Sequence, residues 1–124
     1  MCTTFAKMRG EAMTSVTGSV HNKTGETLTF SVGSTDHGDS AIIEFSTLAD
    51  GQTENVFMAH SSGAGVEGTV NAKTGDNKFT LSYDNPVVGS NEGSVSAPAG
   101  YGGTVVVGHG VNPGFVYTLT KDAS

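Results

Sequence analysis

The sequence predicts an all-β fold, a single-domain β-sandwich of about eight to ten short antiparallel strands. Three observations carry this. Gly supplies 18 of 124 residues, with Thr, Ser and Val filling much of the remainder. From Thr14 onward, apolar residues alternate with polar ones at a period of two. Gly-, Asn- and Asp-based turn chemistry recurs between the alternating runs. β-Branched Thr and Val suit a pleated, half-buried surface better than a helix. A chain of 124 residues fits one domain and buries a core without a disulfide or metal staple.

Taken in order, Val16, Gly18 and Val20 alternate with Ser, Thr and His, and Asn22 to Glu26 reads as a turn around Gly25. Leu28, Phe30 and Val32 form the apolar face of the next strand, and 33–40 reads as loop. Ala41 to Phe45 and Glu54 to His60 are further strands, separated by the Ala49-Asp50-Gly51 turn. Val66 to Val70 and Phe79 to Tyr83 flank a turn at Lys73 to Asn77. That turn echoes the first one, since Val20-x-x-Lys23-Thr24-Gly25 matches Val70-x-x-Lys73-Thr74-Gly75. Easy turn chemistry explains two convergent hairpins better than duplication does. Asp84 to Gly103 is the longest irregular stretch, interrupted by a short strand near Ser94 to Ser96. A stretch of that length in a small domain is usually functional. Thr104 to Val107 and Phe115 to Leu119 close the domain, which spans 14–124.

Residues 1–13 stand apart. They hold the only Arg, three of the four Met residues, and a weak helical stripe at Phe5, Met8 and Ala12. They read as an N-terminal extension, disordered or a short amphipathic helix. They lack the apolar centre of a signal peptide, so none is expected. No apolar run approaches the length of a membrane span. Cys2 has no second cysteine to pair with, which leaves the redox compartment open.

The net charge of −6 and the absence of a basic stripe argue against nucleic acid. An acidic chain is not drawn to anionic lipid either, so a neutral or zwitterionic head group is the easier membrane target. His21, His37, His60 and His109 are scattered, with no zinc-like spacing. Asp36-His37-Gly38-Asp39-Ser40 is the densest polar cluster and reads as a solvated loop without calcium-loop spacing. No nucleotide-binding Gly pattern, nucleophile elbow or assignable carboxylate pair is present. Neither an enzyme nor a cofactor is expected. Asn22-Lys23-Thr24 is a formal glycosylation sequon.

The most specific segments are Glu67-Gly68-Thr69-Val70, Tyr83-Asp84-Asn85-Pro86 and Gly89-Ser90-Asn91. With the Asn22-x-Thr24-Gly25 turn after the first strand, they resemble the cytolysin–lectin group of β-sandwiches, which holds the aegerolysins and actinoporin-like proteins. The resemblance implies recognition of a sphingolipid or phosphocholine head group at one end of the sandwich. In actinoporins clustered Tyr residues hold the phosphocholine and an N-terminal helix then inserts. This chain has no Trp, only three Tyr, and a far shorter N-terminal arm. Pore formation by the chain alone is therefore not expected.

A head-group site needs an aromatic face for the ammonium and polar groups for the phosphate. Tyr83, Asp84, Asn85, Ser90, Asn91 and Tyr101 are the local set that would supply both. The competing reading makes Tyr83 and Tyr101 ordinary strand-end aromatics whose hydroxyls reach water. Three function classes follow: a lipid-binding module, a lectin-like glycan-binding module, and an interaction domain that forms a homo-oligomer through an edge strand such as Thr104 to Val107.

Overall fold

The alternating runs become strands, and the strands pack as two layers. The structure, a computed structural model, describes residues 13–62, 65–86 and 88–122. Residues 1–12 of the expected N-terminal extension at 1–13, Cys2 among them, lie outside the described residues, whereas Met13 is already part of the first strand. Among the described residues ten strands follow in order: β1 (Met13–Lys23), β2 (Leu28–His37), β3 (Ile42–Ile43), β4 (Thr47–Leu48), β5 (Thr53–Ser62), β6 (Val66–Thr74), β7 (Asn77–Asn85), β8 (Glu92–Ser96), β9 (Tyr101–Val107) and β10 (Gly114–Lys121). One sheet has the order β3-β5-β1-β10-β9, the other β4-β2-β6-β7-β8. The all-β, two-layer expectation holds.

The core lies between the sheets. Val16 and Val20 of β1, Phe57 and Ala59 of β5, and Phe115, Tyr117 and Leu119 of β10 fill it from one side. Leu28 and Phe30 of β2, Val66, Val70 and Ala72 of β6, and Phe79, Leu81 and Tyr83 of β7 fill it from the other. β7 shows the strict in–out alternation most plainly, with Phe79, Leu81, Tyr83 and Asn85 buried and the residues between them partly exposed. A register shift beside Gly18 leaves Val56 as an extra residue, so Val56 and Phe57 both turn inward. The Phe57 ring occupies the space where a side chain on Gly18 would stand.

Several expectations are corrected. The sandwich is not wholly antiparallel, because β1 and β10 pair in parallel from Thr17↔Gly114 to Lys23↔Thr120. The chain's first and last strands meet at the centre of one sheet, and local turn signals cannot show a pairing between strands so far apart. The two Lys-Thr-Gly turns are not equivalent. Lys73-Thr74-Gly75 opens a true hairpin, where Gly75 at φ 59° and Asp76 link Thr74 to its partner Asn77. Lys23-Thr24-Gly25 instead carries the chain from one sheet to the other.

Asn22 explains that corner. Its amide donates to the Glu26 and Leu48 carbonyls at 2.8 and 2.9 Å, and its oxygen accepts from the Thr24 N–H and hydroxyl. The residue is fully buried, so the formal sequon is closed to a glycan in the folded chain. β2 continues through His37 where a loop was expected, but with irregular register against β6. Val32 is 37% exposed there instead of inward. The expected strand from Ala41 to Phe45 shrinks to β3.

Candidate functional site

The six residues singled out in the sequence do not converge. Strand parity separates the first three. Tyr83 and Asn85 share the inward face of β7, while Asp84 between them faces out. Tyr83 is only 1% exposed. Its ring packs 5.3 Å from that of Phe57, and Gly68 and Gly93 flank it on β6 and β8. Gly68 is required by this contact, because a Cβ there would lie 2.7 Å from the Tyr83 hydroxyl and 2.5 Å from the Ser34 carbonyl oxygen. The hydroxyl is buried with no hydrogen-bond partner. Burial, reinforced by the charge of Asp36, pushes its pKa up to about 12. Tyr83 is therefore neither a head-group ring nor a water-facing strand-end aromatic. It is a core residue.

Asn85 is a fastener. Its buried amide donates to the Ser15 and Val111 carbonyls, both at 2.9 Å. It ties the end of β7 to the start of β1 and to the loop between β9 and β10. Asn91 repeats the device from the next loop, donating to the Gly108 and Gly110 carbonyls at 3.0 and 3.1 Å. Ser90 beside it is exposed. Two loop segments, 88–91 and 108–113, are thus bound into one end of the sandwich.

Tyr101 lies at the opposite end. Its hydroxyl donates to Glu26 at 2.6 Å and accepts from the Asn77 amide at 3.3 Å. Lys121 stands 5.7 Å above its ring and 3.3 Å from the other Glu26 oxygen. The Tyr101 hydrogen bond, aided by Lys121, holds the Glu26 carboxyl below its ordinary range, and the same bond raises the Tyr101 pKa. Asn77 and Asn85 bound β7, so the strand length puts Tyr101 roughly 25 Å from the Asn85 end. A single Tyr83–Tyr101 site is excluded.

What remains at the Asn85 end is a different surface. Val88 is 88% exposed on the first loop and Val111 is 61% exposed on the second. Neither loop contains Asp, Glu, Lys or Arg, and the same holds for the whole sequence from Gly93 to Thr120. Scanning for charge-free runs would have found this region, whereas the search for aromatics did not.

An acidic row borders these loops. Glu67, Asp84 and Glu92 are register partners across β6, β7 and β8, and Glu67 holds the His37 ring at 2.9 Å. Partial burial first, and then the charges of Glu67 and Glu92, raise the Asp84 pKa. Two shallow depressions of about 230 and 250 Å³ open on this row and share Glu67 and Asp84. The first continues over Thr69, Ser82 and Ser94, and the second runs down to Pro86 and the loops. Among the described residues no group of three or more His, Cys, Asp or Glu is placed to hold a metal ion. Asp39 pairs instead with His60 at 3.2 Å.

No protein-family model matches the chain, and no curated protein matches its sequence. Among the described residues no helix is long and apolar enough to cross a membrane.

Proposed function

We propose that the protein is a lipid-binding module that rests its Asn85 end on a zwitterionic membrane surface, as the aegerolysin- and actinoporin-like resemblance suggests. The observation that carries this reading is the pair of exposed valines, Val88 and Val111, on two fastened loops that contain no Asp, Glu, Lys or Arg. Scattered surface apolar residues need no explanation, but two at the tip of one rigid end do. Moving both side chains into the acyl boundary is worth roughly 3–5 kcal/mol. That supports reversible attachment and falls short of stable anchoring.

The acidic row sets the lipid class. Carboxylates beside the tip repel anionic head groups and attract an ammonium. Asp84 and Glu67, lining the depression that reaches Pro86, are the groups that would receive a choline. They take the place first given to the tyrosines. The lectin-like alternative draws on the other depression, where Thr69, Ser82, Asp84 and Ser94 offer hydroxyls and a carboxylate to a sugar.

Sedimentation with vesicles tests the reading. The wild type is expected to pellet with phosphatidylcholine or sphingomyelin vesicles and much less with phosphatidylserine. Val88→Asp with Val111→Asp should weaken that binding by about tenfold or more. Failure to pellet with any zwitterionic vesicle removes the lipid reading, and a glycan-array signal in its absence favours the lectin.

A further inference from the structure

We propose that the protein self-associates through β9, pairing antiparallel with β9 of a second copy about a two-fold axis. Each sheet has two edges, and these are β3, β9, β4 and β8. β3 and β4 have two residues each, too short to template another strand. β8 has five and begins with Glu92, next to Asp84. β9 has seven, Tyr101-Gly-Gly-Thr-Val-Val-Val107, with no charge, no Pro and an unbroken register against β10. The strand itself has no charge, Pro or bulge of the kind that keeps an edge strand single.

The ladder shows which backbone groups are free. The Gly108 N–H donates to the Gly114 carbonyl at 2.9 Å. Bonded pairs alternate along an antiparallel ladder, so Val106 with Val116 and Thr104 with Thr118 are the next bonded pairs. Gly103, Val105 and Val107 then point their N–H and C=O groups away from β10. A two-fold axis at Val105 sets Val105 opposite its own copy and Gly103 opposite Val107. The three outward residues of each copy satisfy one another, with about six hydrogen bonds.

Charge and side chains favour a second copy as the occupant. The chain carries −6 overall, so most faces of two copies repel. The stretch from Gly93 to Thr120 is the exception, being free of Asp, Glu, Lys and Arg. Val106, 69% exposed, stands in register with the exposed Val116 on the outer face. In the pair it would sit against Thr104 of the other copy, extending the apolar ridge across the axis.

Sedimentation equilibrium across the micromolar to millimolar range tests this. The wild type is expected to move reversibly from monomer to twice the monomer mass. Val105→Pro deletes an outward N–H without touching the β10 ladder and should weaken association by about tenfold or more. Val105 is half-buried, so Val106→Lys, on an exposed site, provides a second variant that keeps the fold; it should weaken association to a similar degree. A wild type that stays monomeric at millimolar concentration overturns the proposal. So does a dimer that Val106→Lys leaves unchanged.

Discussion

A hydroxyl buried without a partner, as on Tyr83, costs more than it returns, because its desolvation is not repaid. Replacing Tyr83 with Phe keeps the ring against Phe57 and removes only that group. Chemical denaturation of Tyr83→Phe is expected to show unchanged stability or a gain of about 1 kcal/mol. A loss of 2 kcal/mol or more would mean that the hydroxyl is paired. The same residue gives a pH dependence. Its folded pKa, about 12, lies above the ordinary value of 10, so above pH 10 the unfolded chain releases a proton that the folded chain keeps. Stability contributed by Tyr83 is intact below pH 10 and falls as pH rises toward 12. Tyr117, fully buried and donating to the Ser82 carbonyl at 2.6 Å, is raised in the same direction and adds to the loss. Tyr83→Phe should therefore flatten the alkaline decline in part, a change that denaturation series at pH 9 to 11.5 would register.

At the level of elements, the strands were legible and their consequences less so. Alternation, apolar runs and turn signals together located every long strand, and the parity of Phe79, Leu81 and Tyr83 already placed Tyr83 inside. Reading Tyr83 as a ligand-facing ring set a motif against that parity, and the parity won. Asn85 and Asn91 belonged to the expected site for a chemical role, yet their amides serve the backbone carbonyls of neighbouring loops. No local pattern distinguishes an Asn that binds ligand from one that fastens a loop, because its partners lie 17 to 70 residues away. Asn91 has a measurable share in holding the tip. Asn91→Ala frees the Gly108 and Gly110 carbonyls, at the surface, where water replaces the bonds cheaply. Global stability should fall by about 1 kcal/mol or less, while amide exchange in 108–113 accelerates and zwitterionic vesicle binding weakens several-fold. Unchanged exchange in that loop would show that Asn91 does not hold it.

For the whole molecule, two layers could be read from composition and strand spacing, but which strands meet could not. The parallel β1–β10 pair and the transfer of the chain between sheets at Asn22 depend on contacts remote in sequence. They also set the geometry on which the proposed function rests. β9 runs from the Tyr101 end of the sandwich to the loop that holds Val111. Antiparallel pairing of two copies reverses one against the other, so the two valine-tipped ends would point in opposite directions. A membrane-binding monomer would then become a bivalent linker between two surfaces. Light scattering from phosphatidylcholine vesicles should rise on adding wild-type protein above its dimerisation range. Val106→Lys should still pellet with vesicles, since its tip is intact, yet leave scattering near the vesicle baseline. Val88→Asp with Val111→Asp should pellet about tenfold more weakly and cluster correspondingly little, although it dimerises normally. If Val106→Lys clusters vesicles as well as the wild type does, the two tips are not held apart by β9, and the opposed arrangement fails even where each half of it stands.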